Sequence, residues 1–152
     1  MRLTTKGRYG VRAVLNLAAS YQNRPVSIKK ISQEEGISPE FLEQIFFKLK
    51  KSGLIRSLRG PGGGFVLNKK ASEISIKDIL DAVGESTFPV PCTDKKATER
   101  CEREDNCSIS QVWQRFSDLI EDFLANLTLQ DILNETGQKY YDEIKAGHDF
   151  SI

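Results

Sequence analysis

The sequence predicts a mainly α-helical fold with a small β-hairpin (α+β), namely a winged helix-turn-helix domain followed by a long dimerisation helix. Two short helical segments meet at a tight turn over 36–39, and a hairpin pattern with a glycine-rich turn follows over 54–67. A wide apolar stripe at helical spacing then runs over 109–127. We expect four segments: 1–84 as the winged domain, 85–108 as a cysteine-containing loop, 109–135 as the dimerisation helix with a short following helix, and 136–152 as a polar tail.

The composition limits the size and the location of the protein. With 152 residues, of which 39% are hydrophobic, the chain suits one compact domain or a small domain with an extension. Its apolar runs are far shorter than the roughly 20 residues of a membrane span, and its N-terminus does not read as an apolar signal region. We therefore expect no membrane partner and a cytoplasmic location, where thiols stay reduced.

The net charge of +1 conceals two oppositely charged halves. Residues 1–70 carry 14 Lys and Arg against 4 Asp and Glu, which is +10, whereas residues 71–152 carry 8 against 17, which is −9. A basic first half is what a polyanion-binding surface requires. Ordinary solvated charge is the alternative, and the asymmetry by itself moderately favours a nucleic acid partner.

Two helices are predicted at the start of the chain. Apolar residues at helical spacing predict the first from Thr4 to about Tyr21, with Thr4 or Thr5 as a cap and residues 23–25 as its end. The second is predicted from Ser27 until Gly36 stops it.

The third helix is predicted after Ser38, which is a good N-cap, with Pro39 in the first helical position, where its missing N–H costs nothing. Gly53 ends this helix. Its last turns carry Lys48, Lys50 and Lys51. Two short helices joined by a tight turn, the second of them basic, are typical of a helix-turn-helix, although a plain helical hairpin has the same pattern.

The segment that follows favours the first interpretation. Residues 54–58 and 65–67 are predicted as strands around the glycine-rich turn 60–64, and a hairpin directly after a helix-turn-helix is a winged helix. Glycines at the wing tip allow close approach to a phosphate, and Arg59 suits insertion into a minor groove. A nucleotide-binding loop is disfavoured because Phe65 breaks the Gly-x-Gly-x-x-Gly spacing.

The second half begins with a capping box, Ser75 to Asp78, which predicts a short helix through Val83. After the last cysteine, a long helix carries an apolar stripe too wide for a solvated helix, so a dimer seam is favoured over packing within one chain. The stripe consists of Ile109, Val112, Trp113, Phe116, Leu119, Ile120, Phe123, Leu124 and Leu127. Thr128 caps a last short helix, and no regular structure is predicted from Gly137 onward.

All three cysteines, Cys92, Cys101 and Cys107, lie in one charged segment with little apolar content. Such a segment cannot bury enough surface to order itself unaided, whereas metal–thiolate bonds would supply the missing folding energy. Three cysteines in a reducing compartment indicate metal or redox chemistry rather than a disulfide framework.

The whole pattern resembles the family of dimeric winged-helix transcription factors that includes the iron–sulfur cluster regulator IscR. The residues that carry the resemblance are Met1–Tyr9, Gly36–Ser38, Leu42–Gln44, Gly53–Leu54, Arg59–Gly64 and Thr128–Leu129. The resemblance spans the chain through about Asn134. It implies a homodimeric repressor that binds a double-stranded DNA operator, senses iron–sulfur cluster status and controls cluster-assembly genes, with cluster-assembly proteins as cluster donors.

The resemblance also implies the DNA contacts. Glu43 and Gln44 match positions of the recognition helix that read the major groove, and Arg59 matches a wing position that reaches the minor groove. Glu40 departs from the small polar residue frequent in relatives, and its carboxylate can accept from cytosine but repels phosphate. The candidate DNA-binding residues are Ser38, Pro39, Glu40, Glu43, Gln44, Lys48, Arg59 and Gly60.

By resemblance, the three cysteines are ligands of an iron–sulfur cluster, with 2Fe–2S as the first choice and 4Fe–4S left open. Their spacing differs from the expected one, and Ser110 stands where cluster-binding relatives have a histidine. Arg8 stands where a related nitric-oxide sensor has a ligating aspartate. The candidates for the fourth ligand are Glu102, Glu104, Asp105, Ser110 and His148, or a small external molecule. Zinc on three cysteines is the competing interpretation.

Two functions from different classes follow. The first is the cluster-responsive repressor. The second is a cluster-free or zinc-bound regulator of the same fold that senses cysteine metabolism by docking a metabolic enzyme. An enzymatic function is not expected, because the one histidine, in the tail, leaves no supported Ser–His or Cys–His pair and no catalytic residue is proposed.

Overall fold

A computed structural model describes residues 2–149 and confirms the winged-helix fold with a two-stranded antiparallel hairpin. The winged domain consists of α1 (Thr5–Ala18), α2 (Ile28–Glu35), α3 (Pro39–Lys51), β1 (Ile55–Leu58), β2 (Gly64–Leu67) and α4 (Ile76–Ala82). The remaining helices are α5 (Ser110–Asn126), α6 (Leu129–Ile132) and α7 (Gln138–Asp149).

Side-chain caps fix the starts of the first three helices where the sequence predicts them. The hydroxyls of Thr4, Ser27 and Ser38 accept hydrogen bonds from backbone N–H groups in the first turns of α1, α2 and α3. Gly36 ends α2 in the left-handed conformation, with φ of 67°. This glycine lets the chain reverse between α2 and α3, so the turn of the helix-turn-helix is set by local backbone chemistry.

The first helix is shorter than predicted. It ends at Ala18 rather than near Tyr21, and a 3₁₀ turn follows over Tyr21–Asn23. Gln22 and Asn23 have φ of 53° and 52°, which an α-helix cannot contain. The apolar spacing therefore continues past the point at which the backbone leaves the helix.

The wing is anchored to the helical core at its base. Ile55 pairs with Leu67 and Leu58 with Gly64, while Phe65 forms a further antiparallel bridge to Val26, just before α2. The Phe65 ring packs edge-on against Phe46 of α3 at 4.8 Å between centroids. The wing and α3 therefore pack directly against each other.

A large apolar core holds the elements of the winged domain together. Its largest fully buried side chains come from α1, α2, α3, β1, α4 and α6, together with Ile74, just before α4. They are Val14, Leu17, Ile31, Leu42, Ile45, Phe46, Leu49, Ile55, Ile74, Ile79, Leu80 and Leu129. Since Leu129 lies beyond α5, the chain returns to the winged domain after the long helix.

Gly64 is the position in the wing where a side chain is least tolerated. Its φ is 155°, and a Cβ atom there would lie 2.6 Å from the backbone of Val26. We expect Gly64→Ala to lower the free energy of unfolding by about 1–3 kcal/mol, because β2 must move away from Val26 or remain strained. Chemical denaturation at a fixed protein concentration measures the change.

Gly147 in α7 serves as the control for this substitution. Nothing lies within 4 Å of its Cβ position, so Gly147→Ala should leave stability unchanged or raise it by about 0.5–1 kcal/mol. An equal response of the two variants would contradict the close packing of β2 against Val26.

The segment after Gly137, for which the sequence predicts no regular structure, is helical. Tyr141 of α7 is buried with Ala19 and Leu133, and its hydroxyl donates to the Arg12 carbonyl oxygen at 3.3 Å. Lys145 donates to the Asn16 amide oxygen at 3.2 Å and to Glu34 at 3.1 Å. The prediction missed this helix because its stability comes from contacts with α1 and α2, which are distant in sequence.

Within residues 2–149, each helix is too short or too polar to cross a membrane.

Candidate DNA-binding face and cysteine loop

The outward face of α3 is polar at its start and basic at its end. Leu42, Ile45, Phe46 and Leu49 are buried against the core, which turns the intervening positions to solvent. The predicted DNA-binding residues, all exposed, are Ser38, Pro39, Glu40, Glu43, Gln44, Lys48, Arg59 and Gly60. The first six lie at the N-terminus of α3 or along it, and the last two lie at the wing turn.

The wing lies directly beside α3. Lys50 at the end of α3 donates a hydrogen bond to Ser57 of β1 at 3.0 Å. In the turn between the strands, Gly60 and Gly62 have φ of 98° and 74°, and the tip is exposed. A backbone of this kind, with little side-chain bulk beside Arg59, can approach a nucleic acid closely. One surface therefore combines an exposed helix with an exposed hairpin tip.

Part of the basic charge on α1 is engaged inside the protein. Arg12 forms an ion pair with Glu35 at 3.3 Å, donates to the Glu35 carbonyl oxygen, and lies 5.3 Å from the centre of the Tyr9 ring. Asn16 donates to both Glu34 and Glu35. The pKa of the Tyr141 hydroxyl is raised, mainly by burial and secondly by the nearby Glu35 carboxylate. This network fixes the end of α2, immediately before the turn into α3.

The cysteine loop contains two short 3₁₀ turns, Pro91–Thr93 and Glu104–Asn106. Cys92 lies in the first turn and is half-buried, Cys101 is exposed, and Cys107 follows the second turn and is half-buried. All three thiols are free.

A cavity of about 210 Å³ brings Cys92 together with Glu104 and Ser110, two of the candidate fourth ligands. Ser110 also donates through its hydroxyl to the Cys107 carbonyl oxygen at 3.1 Å. Glu104 is paired with Arg100 at 2.6 Å. Two other candidates, Glu102 and Asp105, are exposed. His148 lies within α7, but its side chain is outside the part that the structure describes.

The donor set of the loop fits a thiolate-bound metal group, because three free thiols lie within one short segment between two ordered helices. The described side chains are not gathered around one point, however: nowhere in residues 2–149 do three His, Cys, Asp or Glu side chains stand close enough to hold a metal ion. Filling such a site would require the loop to close.

The apolar stripe of α5 is largely exposed. Leu119 and Phe123 are 69% and 66% exposed, and Phe116 is 46% exposed. The stripe continues over Ile109, Val112 and Trp113, which are also exposed. Leu124 and Leu127 differ from the prediction, since they pack against the core of the winged domain. The exposed part of the stripe thus covers the first four turns of the helix.

Comparison with known proteins decides the family. The model of the Rrf2 family, described as iron-dependent transcriptional regulators, matches residues 3–135. The chain belongs to the Rrf2 family. The expected resemblance is thereby confirmed, and so is the expectation that the protein is not an enzyme, because its relatives are transcriptional regulators.

Individual relatives place the chain within the Rrf2 family. The HTH-type transcriptional regulator IscR of Pectobacterium atrosepticum is 45% identical over 134 residues, which is 88% of this chain and 80% of the relative. The solved structure of T. potens IscR has a TM-score of 0.72 and 32% identity, covering 89% of this chain and 88% of that one. CymR, the global cysteine regulator of B. subtilis, has a TM-score of 0.75 and 30% identity, covering 90% and 98%.

Two carboxylates that the sequence does not predict as functional, Glu85 and Glu121, connect the start of the cysteine loop of this Rrf2 protein to neighbouring helices. Glu85 accepts from the backbone N–H of Thr4 at 3.2 Å and from the Thr4 hydroxyl, at the N-terminus of α1. Thr87, which is buried, donates to Glu121 of α5. No sequence pattern predicts these contacts, because the two partners in each hydrogen bond are far apart in the chain.

Glu121 extends this connection to the winged domain through Lys77 of α4, at 2.6 Å. Burial alone would raise the pKa of the Glu121 carboxyl, but its hydrogen bonds with Lys77 and Thr87 lower it. Burial likewise opposes the charge on Lys77, and its bonds to Glu121 and Asp81 raise its pKa. Both groups are therefore held in their charged forms at neutral pH, and residues 85–87 are bonded to α1 on one side and to α5 and α4 on the other.

Proposed function

We propose that this Rrf2-family regulator is a dimeric, DNA-binding repressor whose operator affinity depends on an iron–sulfur cluster held by Cys92, Cys101 and Cys107. The observation that carries the proposal is the position of three free thiols in the segment that joins the winged domain to α5. The start of that segment is bonded to both elements. A change in the loop can therefore reach the DNA-binding face and the dimer helix together.

The DNA contacts follow from the exposed surface. Glu43, Gln44 and Lys48 are presented by α3 for the major groove, with Ser38, Pro39 and Glu40 at its N-terminus beside the same groove. Arg59 and Gly60 are presented by the wing tip for the adjacent minor groove. In a symmetric dimer, two such surfaces would engage half-sites about 34–36 Å apart.

In the proposed holo form, the three cysteines hold the cluster, which when bound supplies metal–thiolate bonds that order the loop. Glu104 and Ser110 are the favoured candidates for the fourth ligand because they share a cavity with Cys92. A hydroxyl or carboxylate is a weaker iron ligand than imidazole, so the site is expected to be labile, as suits a sensor. We retain 2Fe–2S as the first choice, and we expect cluster-assembly proteins as donors and cluster-assembly genes as targets.

The second candidate is a cluster-free or zinc-bound regulator that senses cysteine metabolism by docking an enzyme. The likeness to the cysteine regulator CymR favours it. Three cysteines collected in one loop favour a bound cluster or zinc over enzyme docking alone, because docking gives no reason for them. The relatives named IscR favour the cluster over zinc.

Anaerobic purification followed by iron, sulfide and zinc analysis distinguishes these functions. We expect brown protein with iron and sulfide in the wild type. Cys92→Ala, Cys101→Ala and Cys107→Ala should each lose most of this content, because the loop offers no other thiol to replace the missing ligand. The folding of the winged domain should change little, since the three cysteines lie outside its core.

Ser108→Ala is the matched control, because Ser108 is an exposed neighbour of Cys107 and is not a candidate ligand. It should keep the full cluster content. Full iron and sulfide in all three cysteine variants would refute the site, and zinc without sulfide in the wild type would favour the second function. Glu104→Gln and Ser110→Ala then test the fourth ligand, with the more rapid loss of visible absorbance in air marking the residue used.

A further inference from the structure

The outward face of α3 carries one large apolar side chain that the predicted DNA contacts do not include. Phe47 is 70% exposed. The core-facing positions of α3 are already filled by other residues, so Phe47 has no place in the core. Most of the other exposed large hydrophobic side chains in the described chain lie along α5, whereas Phe47 lies on the helix predicted to enter DNA.

Phe47 lies at the centre of that exposed face. At about 100° per residue, Glu40, Glu43, Gln44 and Lys51 all point within about 60° of it around the helix axis. It follows Glu43 by four residues, which is about 6 Å along the axis and close to the length of two base-pair steps. A helix that brings Glu43 to base edges therefore brings Phe47 to the same groove.

We propose that Phe47 is a specificity-determining residue that packs against the methyl group of a thymine in the major groove of the operator. The inference rests on the proposed DNA-binding function of α3 and names the base that this position selects. Phe47 has no donor or acceptor, so it cannot read the hydrogen-bonding edge of a base. The C5 methyl of thymine is the apolar group that the major groove displays.

The surroundings of Phe47 are charged, which favours a DNA groove as its partner over an apolar protein surface. Glu43 lies one turn before it, whereas Lys51 lies one turn after it. Lys51 and Lys48 are both exposed and suit phosphate contacts. Contact with a methyl group would also remove part of the Phe47 ring from water. Selection for thymine at one position of each half-site would follow.

The test begins with selection of binding duplexes from a random pool by the anaerobically purified, full-length protein. Each thymine of the selected site is then replaced by deoxyuridine, which removes only the methyl group. For the wild type, we expect one position in each half-site at which this replacement lowers affinity about fourfold, the effect of burying one methyl-sized group, and about 15-fold when both half-sites are changed.

The Phe47→Ser variant should bind the thymine and uracil duplexes equally. Its affinity for both should match the lower affinity that the wild type has for the uracil duplex. Because both proteins are measured on the same pair of duplexes, effects of uracil on DNA shape cancel. Lys51→Ala is the control: it should bind more weakly but keep the thymine preference. Phe47 is exposed, so Phe47→Ser should fold, which circular dichroism checks.

Wild-type affinity that is unchanged by uracil at every thymine would overturn the proposal, as would a thymine preference retained by Phe47→Ser. Selection of a site without thymine in its half-sites would overturn it as well. Failure of the selection to enrich any sequence would instead refute specific DNA binding itself, so the two failures are distinguishable.

Discussion

Phe116→Asp is expected to convert the protein to a monomer that has lost most of its operator affinity. Phe116 lies in the middle of the exposed stripe of α5, between Val112 and Leu119. In a symmetric seam the substitution would place two unpaired carboxylates into one apolar interface, which is strongly unfavourable. A monomer binds one half-site only. It loses the gain in affinity that a dimer has because binding of its first subunit places the second beside its own half-site, so affinity should fall about 10²–10⁴-fold.

Sedimentation velocity measures the oligomeric state, and fluorescence anisotropy with the selected duplex measures the affinity. Ala125→Asp is the matched control, because this exposed residue lies on the opposite side of the same helix and gains the same charge. The control should remain a dimer and bind DNA. If Phe116→Asp remained a dimer, the dimer interface would lie on a surface other than the stripe of α5.

The second large effect is the response of DNA binding to salt. The first 70 residues carry a net charge of +10, and the basic side chains of α3 and of the hairpin beside it are exposed. With roughly 6–10 phosphate contacts in the dimer, operator affinity should fall about 10³–10⁵-fold between about 50 and 200 mM salt, because bound counterions are released on binding.

The slope of log affinity against log salt concentration identifies the residues responsible. Lys51→Ala should reduce the slope by roughly one for each phosphate contact that is lost. Gln44→Ala should instead lower affinity on the selected site and leave the slope unchanged, since an uncharged side chain releases no counterions. A flat salt response of the wild type on its selected site would contradict the assignment of this face to DNA.

The sequence predicts the winged domain well because its boundaries depend on local chemistry. Ser38 and Pro39 start α3 through a cap and a fixed φ, and Gly36 supplies the left-handed turn before them. The caps of α4 and α6, at Ser75 and Thr128, are equally local. Each of these signals lies within four residues of the feature that it determines.

The features that the sequence does not predict depend on partners far apart in the chain. α7 is helical because Tyr141 and Lys145 contact α1 and α2 more than 100 residues away. Glu85 could not be recognised as the partner of Thr4 for the same reason. The gathering of the cysteines is likewise not determined by their spacing alone, since no three candidate ligand side chains of the described residues stand together in the loop.

The contacts of α7 have a practical consequence for how fragments of this protein would behave. A fragment ending at residue 135, where the family match stops, would lose Tyr141 from its apolar cluster with Ala19 and Leu133. It would also lose Lys145, whose ammonium pairs with the Glu34 carboxylate at 3.1 Å. Such a fragment would expose new apolar surface on α1 and loosen the end of α2, next to the turn that precedes α3. Weaker DNA binding by such a fragment would result from the loss of α7 and not from a change in the cysteine loop or in α5.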